Sequence, residues 1–116
     1  MKITITSIRL RSPFKFFPLS LYALHIMRQL KSTNYAEFKK TGLWTMHYTM
    51  TMWRSEEDLK VFATSGAHLK AMQKGASIAS EISTLTIDAE QLPDWKTAKE
   101  MLRKDGKVTR YFQSEP

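Results

Sequence analysis

Three histidines and a set of methionines are the side chains of this chain best suited to chemistry. His68 falls on the flank of an expected helix beside Met72, where an imidazole titrating near neutrality can carry a proton. A partly exposed surface histidine accounts for it equally. His47 sits in a long apolar–polar alternation and His25 on the outer side of an earlier helix. No two of the three are spaced i, i+4 or as His-x-His, so a zinc site is not expected. Met46, Met50 and Met72, with Leu69 and Phe62, form a set that can line an apolar ligand pocket, because the thioether adapts to irregular shapes. Ordinary core packing is the competing explanation. The chain has no cysteine, which removes thiolate chemistry and disulfides, and its four glycines offer no phosphate-cradling loop. No Ser/His/Asp triad or paired catalytic carboxylates are recognisable.

The elements that must hold these residues follow from periodicity. Ile3 and Ile5 alternate with Thr4 and Thr6, and the apolar phase then shifts to Ile8 and Leu10, which predicts a first strand with a bulge near Ser7. A helix follows over about residues 18–31, with Leu19, Ala23, Ile26, Met27 and Leu30 on one stripe. Leu21 and Leu24 fall on its opposite face beside Arg28. Residues 35–40 read as a short strand, Thr41-Gly42 as a tight connection, and Leu43 to Trp53 as a central strand. In that strand Trp44, Met46, Tyr48, Met50 and Met52 face one way, and Leu43, His47 and Trp53 join the threonines on the other. Ser55 caps a helix whose Glu56, Glu57 and Asp58 suit the positive end of the helix dipole. Ser65-Gly66 breaks it, and a second helix is expected to about Ser80. Glu81 to Asp88 is again a strand. Trp95, Ala98, Met101 and Leu102 give a last helix its docking side, and the tail beyond Asp105-Gly106 reads as a short strand or an extended arm.

The order β-α-β-β-α-β plus a C-terminal helix is the α+β, ferredoxin-like pattern, with an antiparallel sheet and its two crossover helices on one face. Residues 1–104 make one domain and 105–116 a tail. The open face of the sheet calls for cover, and a homodimer packing sheet on sheet would supply it.

Composition narrows the function classes. An apolar share of 42% with 25% charged residues describes a globular domain, not a disordered chain. The net charge of +7 lies wholly in residues 1–50, where eight Lys/Arg face the single acid Glu37. A positive surface could attract an anionic partner, but no nucleic-acid module accompanies it, so nucleic acid is not expected. No stretch approaches the roughly 18 apolar residues of a membrane span. Residues 13–27 come nearest, yet they contain Lys15, Pro18 and His25, so a signal peptide is not expected and a cytoplasmic setting is. Phe14-Lys15-Phe16-Phe17 could touch a membrane surface. A dimer contact or a contact with the C-terminal arm explains that segment as well, and membrane binding is not expected.

The segment Trp53-Arg-Ser-Glu-Glu-Asp-Leu, followed by Phe62, Ser65 and Ala71-Met72, resembles the dimeric α+β barrel superfamily, which includes antibiotic-biosynthesis and haem-degrading monooxygenases. Phe38-Lys-Lys-Thr-Gly-Leu-Trp44 is similar to spheroidene-type carotenoid monooxygenases. The likeness spans most of residues 2–88 in element order and about twenty residues in motif detail. It implies a homodimer and a pocket between helices and sheet that oxidises a hydrophobic or aromatic small molecule. Trp53, His68 and Tyr48 are then the candidate catalytic set. Haem is a candidate cofactor, with one departure: the position of the haem-ligating histidine in haem-degrading relatives falls on Met72, leaving His68, one turn earlier, as the substitute ligand. That departure favours the alternative, a non-catalytic small-molecule or haem-binding protein on the same fold.

Overall fold

The computed structural model describes residues 1–30, 35–63 and 78–110. Along the chain run β1 (Lys2–Leu10), a 3₁₀ turn (Pro13–Lys15), α1 (Phe16–Leu30), β2 (Tyr35–Leu43), β3 (Met46–Trp53), α2 (Glu56–Ala63), β4 (Ala79–Asp88), α3 (Trp95–Asp105) and β5 (Lys107–Arg110). The five strands form one antiparallel sheet in the order β2-β3-β1-β4-β5. This is the expected α+β ferredoxin-like sheet, extended by β5 at the β4 edge. No described helix is long and apolar enough to cross a membrane.

Register divides the sheet into two chemically different faces, because side chains alternate along each strand. On one face Ile3 lies between Met52 and Ile87, Ile5 between Met50 and Leu85, and Ser7 between Tyr48 and Ser83. On the other, Thr4 lies between Thr51 and Thr86, Thr6 between Thr49 and Thr84, and Ile8 between His47 and Ile82. Burying the Ile/Met row is the main apolar gain here, at roughly 1.5–3 kcal/mol for each large side chain.

The Ile/Met face is covered by α3. Its Ala98 and Leu102 are buried with Ile3, Ile5, Met50 and Met52, and Trp95 and Met101 pack at the edge. These are the docking residues expected from the spacing. Asp94 starts α3 as N-cap, its carboxylate accepting the Thr97 backbone N–H at 2.7 Å. Arg103 and Lys104 suit the negative end of the dipole. The opposite face carries α1 and α2, where Trp53 and Phe62 are buried against Met27, Tyr35, Phe38 and Leu59. In α2 the Asp58 backbone N–H donates to Ser55 Oγ at 3.2 Å, and that hydroxyl donates to the Asp58 carboxylate at 3.1 Å. Ser55 and Asp58 thus close the helix start as expected.

α3, the extra C-terminal helix, lies on the face opposite α1 and α2, so the chain itself supplies part of the cover expected from a partner. Three local expectations change. The β1 ladder with β3 runs unbroken from Lys2 to Arg9, and the irregularity sits between Arg9 and Leu10 instead of near Ser7. β2 continues through Thr41-Gly42 to Leu43, and the hairpin turns at Trp44-Thr45, with Trp44 at φ 59°. β4 begins at Ala79, inside the stretch expected to be helix, and β5 realises the strand reading of the tail.

Candidate functional site

Trp53 ends β3 on the threonine face, and α2 brings Phe62 over it with ring centroids 5.1 Å apart and planes tilted by 35°. The indole is almost wholly buried, 1% exposed, and its Nε1 has no hydrogen-bond partner among the described residues. Thr4 Oγ1 is buried and unpartnered in the same way. The two residues are diagonal neighbours on one face, since Trp53 is opposite Lys2 and Thr4 is opposite Thr51. Diagonal positions lie roughly 7–8 Å apart, close enough for one small molecule to meet both groups. An orphaned buried group costs about 1–3 kcal/mol where no polar atom meets it, so these two atoms are the candidates on this face for holding a polar ligand atom.

Behind this pair the floor is polar. Thr4, Thr6, Thr49 and Thr51 are half-buried, Thr84 and Thr86 are exposed, and Thr6 Oγ1 meets Thr84 Oγ1 at 3.5 Å. Lys2 borders the same end, its Nζ 2.8 Å from the Asp88 carboxylate. The hydrogen bond to Asp88 raises the Lys2 pKa above its ordinary value, and the same bond lowers that of Asp88. Both groups therefore stay charged around neutrality.

His47 occupies the other end of this face. Its Nε2 lies 3.0 Å from the Trp44 carbonyl oxygen, which can only accept, so that nitrogen carries the proton. The Phe16 ring covers the imidazole at 5.5 Å, and a Cβ on Gly42 would overlap its Nδ1. Six residues of strand place His47 about 20 Å from Trp53 at ~3.4 Å per residue.

The sequence-derived set is therefore split by the sheet. Trp53 and Phe62 come together under α2. Tyr48, Met46 and Met50 lie on the opposite face. Met50 is in the core, Tyr48 packs 6.5 Å from Trp95 with Lys99 Nζ 4.7 Å above its ring, and Met46 and Tyr48 border an open groove of about 720 Å³ beside α3. Alternation along β3 forbids one pocket lined by all five. His68, Leu69 and Met72 lie outside the described residues. The threonine floor was the overlooked part, and its signal was the Thr/Ile and Thr/Met alternation in β1 and β3.

Neither a family model nor a curated protein sequence matches the chain. Solved structures do match its fold. An antibiotic-biosynthesis monooxygenase assigned as putative from Deinococcus radiodurans superposes with a TM-score of 0.67 at 10% identity, covering 81% of this chain and 97% of that one. SnoaB, a cofactor-independent oxygenase from Streptomyces nogalater, gives 0.60 at 11% identity over 80% of this chain and 97% of its own. A conserved protein from Methanosarcina mazei gives 0.68 at 8% identity, covering 78% and 94%. The chain thus has the fold of these proteins, which include an antibiotic-biosynthesis monooxygenase and a cofactor-independent oxygenase.

Proposed function

We propose that this protein binds a hydrophobic or aromatic small molecule between the threonine face and helices α1 and α2, and oxidises it as a monooxygenase. The observation that carries this reading is the buried, unpartnered pair of Trp53 Nε1 and Thr4 Oγ1. An indole N–H is a donor only, so it suits an oxygen acceptor such as a phenolate or carbonyl on an aromatic ligand. A donor aimed at oxygen in a dry site stabilises negative charge that develops there, which is what oxidation of an electron-rich ring by O₂ requires of the protein. Phe62 gives the apolar wall. The fold shared with a cofactor-independent oxygenase supports the same reading.

The candidate haem ligands His68 and Met72 lie outside the described residues, and the described histidine of this face is poorly placed for the role. An axial ligand is needed, and His47, the described histidine on this face, commits Nε2 to the Trp44 carbonyl while Phe16 covers its ring. No step is assigned to that group. The reading keeps a cytoplasmic setting and a homodimer formed through the Ile/Met face, where Met46, Tyr48 and Val108 border the groove that α3 leaves open. Sedimentation at several protein concentrations tests the dimer.

The second reading is a binding protein without turnover. It is favoured by the distance of His47 from Trp53, which leaves no described histidine beside the donor pair, and by the engagement of Asp88 with Lys2. Oxygen uptake with hydroxylated polycyclic aromatics decides between the two. Uptake that falls in Trp53→Phe supports the enzyme. A ligand that co-purifies and is released chemically unchanged, with no uptake, supports the binder.

A further inference from the structure

Exposed aromatic side chains gather at one end of the sheet. Phe14 and Phe17 are 79% and 73% exposed on the 3₁₀ turn and the start of α1, and Trp44 is 74% exposed on the β2–β3 turn. Phe16, Leu21 and Leu24 are exposed as well. Two ties hold these segments side by side. The Leu10 backbone N–H donates to the Thr45 carbonyl at 2.8 Å, and the Phe16 ring rests on His47, whose Nε2 holds the Trp44 carbonyl. Phe16 also meets Phe17 edge to face at 6.4 Å. The turn is strained: Trp44 sits at φ 59°, a left-handed conformation that bulky residues rarely take. A strained turn that holds a tryptophan in water is accounted for neither by the core nor by the proposed pocket.

The charges around this end point to the occupant. Residues 9–17 hold Arg9, Arg11 and Lys15 with no acid. Glu81, across the strands from Arg9, is already paired with Arg110 at 3.4 Å. Two copies meeting through this surface would set cation against cation. A bilayer with anionic headgroups offers the complement, apolar depth for phenylalanine and an interfacial level where tryptophan is favoured. We propose that the end formed by Phe14, Phe17 and Trp44, with Lys15 among them, docks on the surface of an anionic lipid bilayer. The proposal departs from the expectation that the Phe14–Phe17 segment does not bind a membrane, and rests on the exposure of these side chains. The assignment is independent of the pocket, because none of these residues borders Trp53.

The test is co-sedimentation of the full chain with vesicles of phosphatidylcholine, with and without phosphatidylserine, at low and high salt. Binding is expected to need phosphatidylserine and to weaken with salt. Lys15→Glu is expected to lower partitioning by roughly five-fold or more, from the loss of a cation near the surface. Phe14→Ser with Phe17→Ser is expected to lower it with the charge intact, and unchanged thermal unfolding confirms that these variants fold. Brominated lipid is expected to quench the wild-type fluorescence more strongly than that of Trp44→Phe. Equal partitioning of wild type and folded variants overturns the proposal. So does self-association that the same substitutions abolish in the absence of vesicle binding, which would assign this end to a second copy of the chain.

Discussion

The Trp53 indole lies 5.1 Å from the Phe62 ring, centroid to centroid, yet its ring Nε1 meets no hydrogen-bond partner among the described residues. Packing fixes the ring and leaves its donor free. In the proposed site an unmet donor costs stability in the free protein and a ligand acceptor would return it, so stability and binding should respond to the N–H in opposite directions.

Trp53→Phe keeps an aromatic ring against Phe62 and deletes the donor. Ligand affinity is expected to fall by roughly 3- to 10-fold, the worth of one hydrogen bond. The smaller ring leaves a gap, but the desolvated N–H is gone, so the net loss of stability should be below that of a core truncation. Isothermal titration and urea unfolding measure the two quantities. A variant with unchanged affinity for every ligand that the wild type binds would remove the donor from the site.

Phe62→Ala tests the wall. The residue is buried and joins α2 to the sheet, so its truncation is expected to cost about 3–5 kcal/mol in chemical unfolding. Because α2 otherwise meets the sheet mainly through Leu59, amide exchange in Glu56–Ala63 should accelerate more than exchange in β1. Equal acceleration throughout would mean that α2 does not open separately.

Which parts of the fold were legible in the sequence follows from how locally each was specified. The strands, α1 and α3 came from periodicity, and Trp95, Ala98, Met101 and Leu102 dock as their spacing implies. The hairpin was misplaced because Gly42 looks like a turn residue. It is needed instead for close approach, since His47 occupies the space of its missing Cβ, and the positive φ falls on Trp44. The bulge was misplaced because Ile8 breaks the apolar phase. In the sheet Ile8 sits beside His47 and Ile82, a small apolar patch on the threonine face. The site was half legible: Trp53 and Phe62 came from the motif, while Tyr48, Met46 and Met50 were joined to them by composition against the alternation of β3.

The carboxylates predict the acid limb of stability. Asp94 accepts the Thr97 backbone N–H, which lowers its pKa below the ordinary value of 3.8, and Lys2 does the same for Asp88. A depressed native pKa contributes stability that is present above the unfolded value and is lost as pH falls through the folded one. Asp94→Ala is therefore expected to melt below wild type at neutral pH and to converge with it in acid. Asp94→Asn retains an N-cap, so it should lose less at neutral pH and show a shallower acid limb. At the alkaline end the sign reverses for Lys2: its raised pKa contributes stability below 10.5 that is lost as pH rises through the native value. Melting temperature against pH for wild type and the two Asp94 variants checks the acid limb, with Lys2→Met checking the alkaline one, and parallel acid curves would exclude the capping carboxylate as the cause.

Gly42 and His47 form a coupled pair whose partners lie five residues apart across the hairpin. A Cβ on Gly42 would overlap His47 Nδ1 and approach Cγ at 2.9 Å, with the Met46 carbonyl at 3.0 Å. Gly42→Ala must then displace the imidazole, break its contact with the Trp44 carbonyl and disturb the Phe16 stack, at a cost of about 1–3 kcal/mol for overpacking. His47→Ala alone loses the same contacts by leaving a gap. If the overlap is the cause, adding His47→Ala should relieve part of the Gly42→Ala penalty, so the double variant is more stable than the sum of the singles by at least ~0.5 kcal/mol. Denaturant unfolding of the four proteins closes the cycle. Strict additivity would mean that Gly42 is needed for the backbone path of β2 and not for the imidazole it faces.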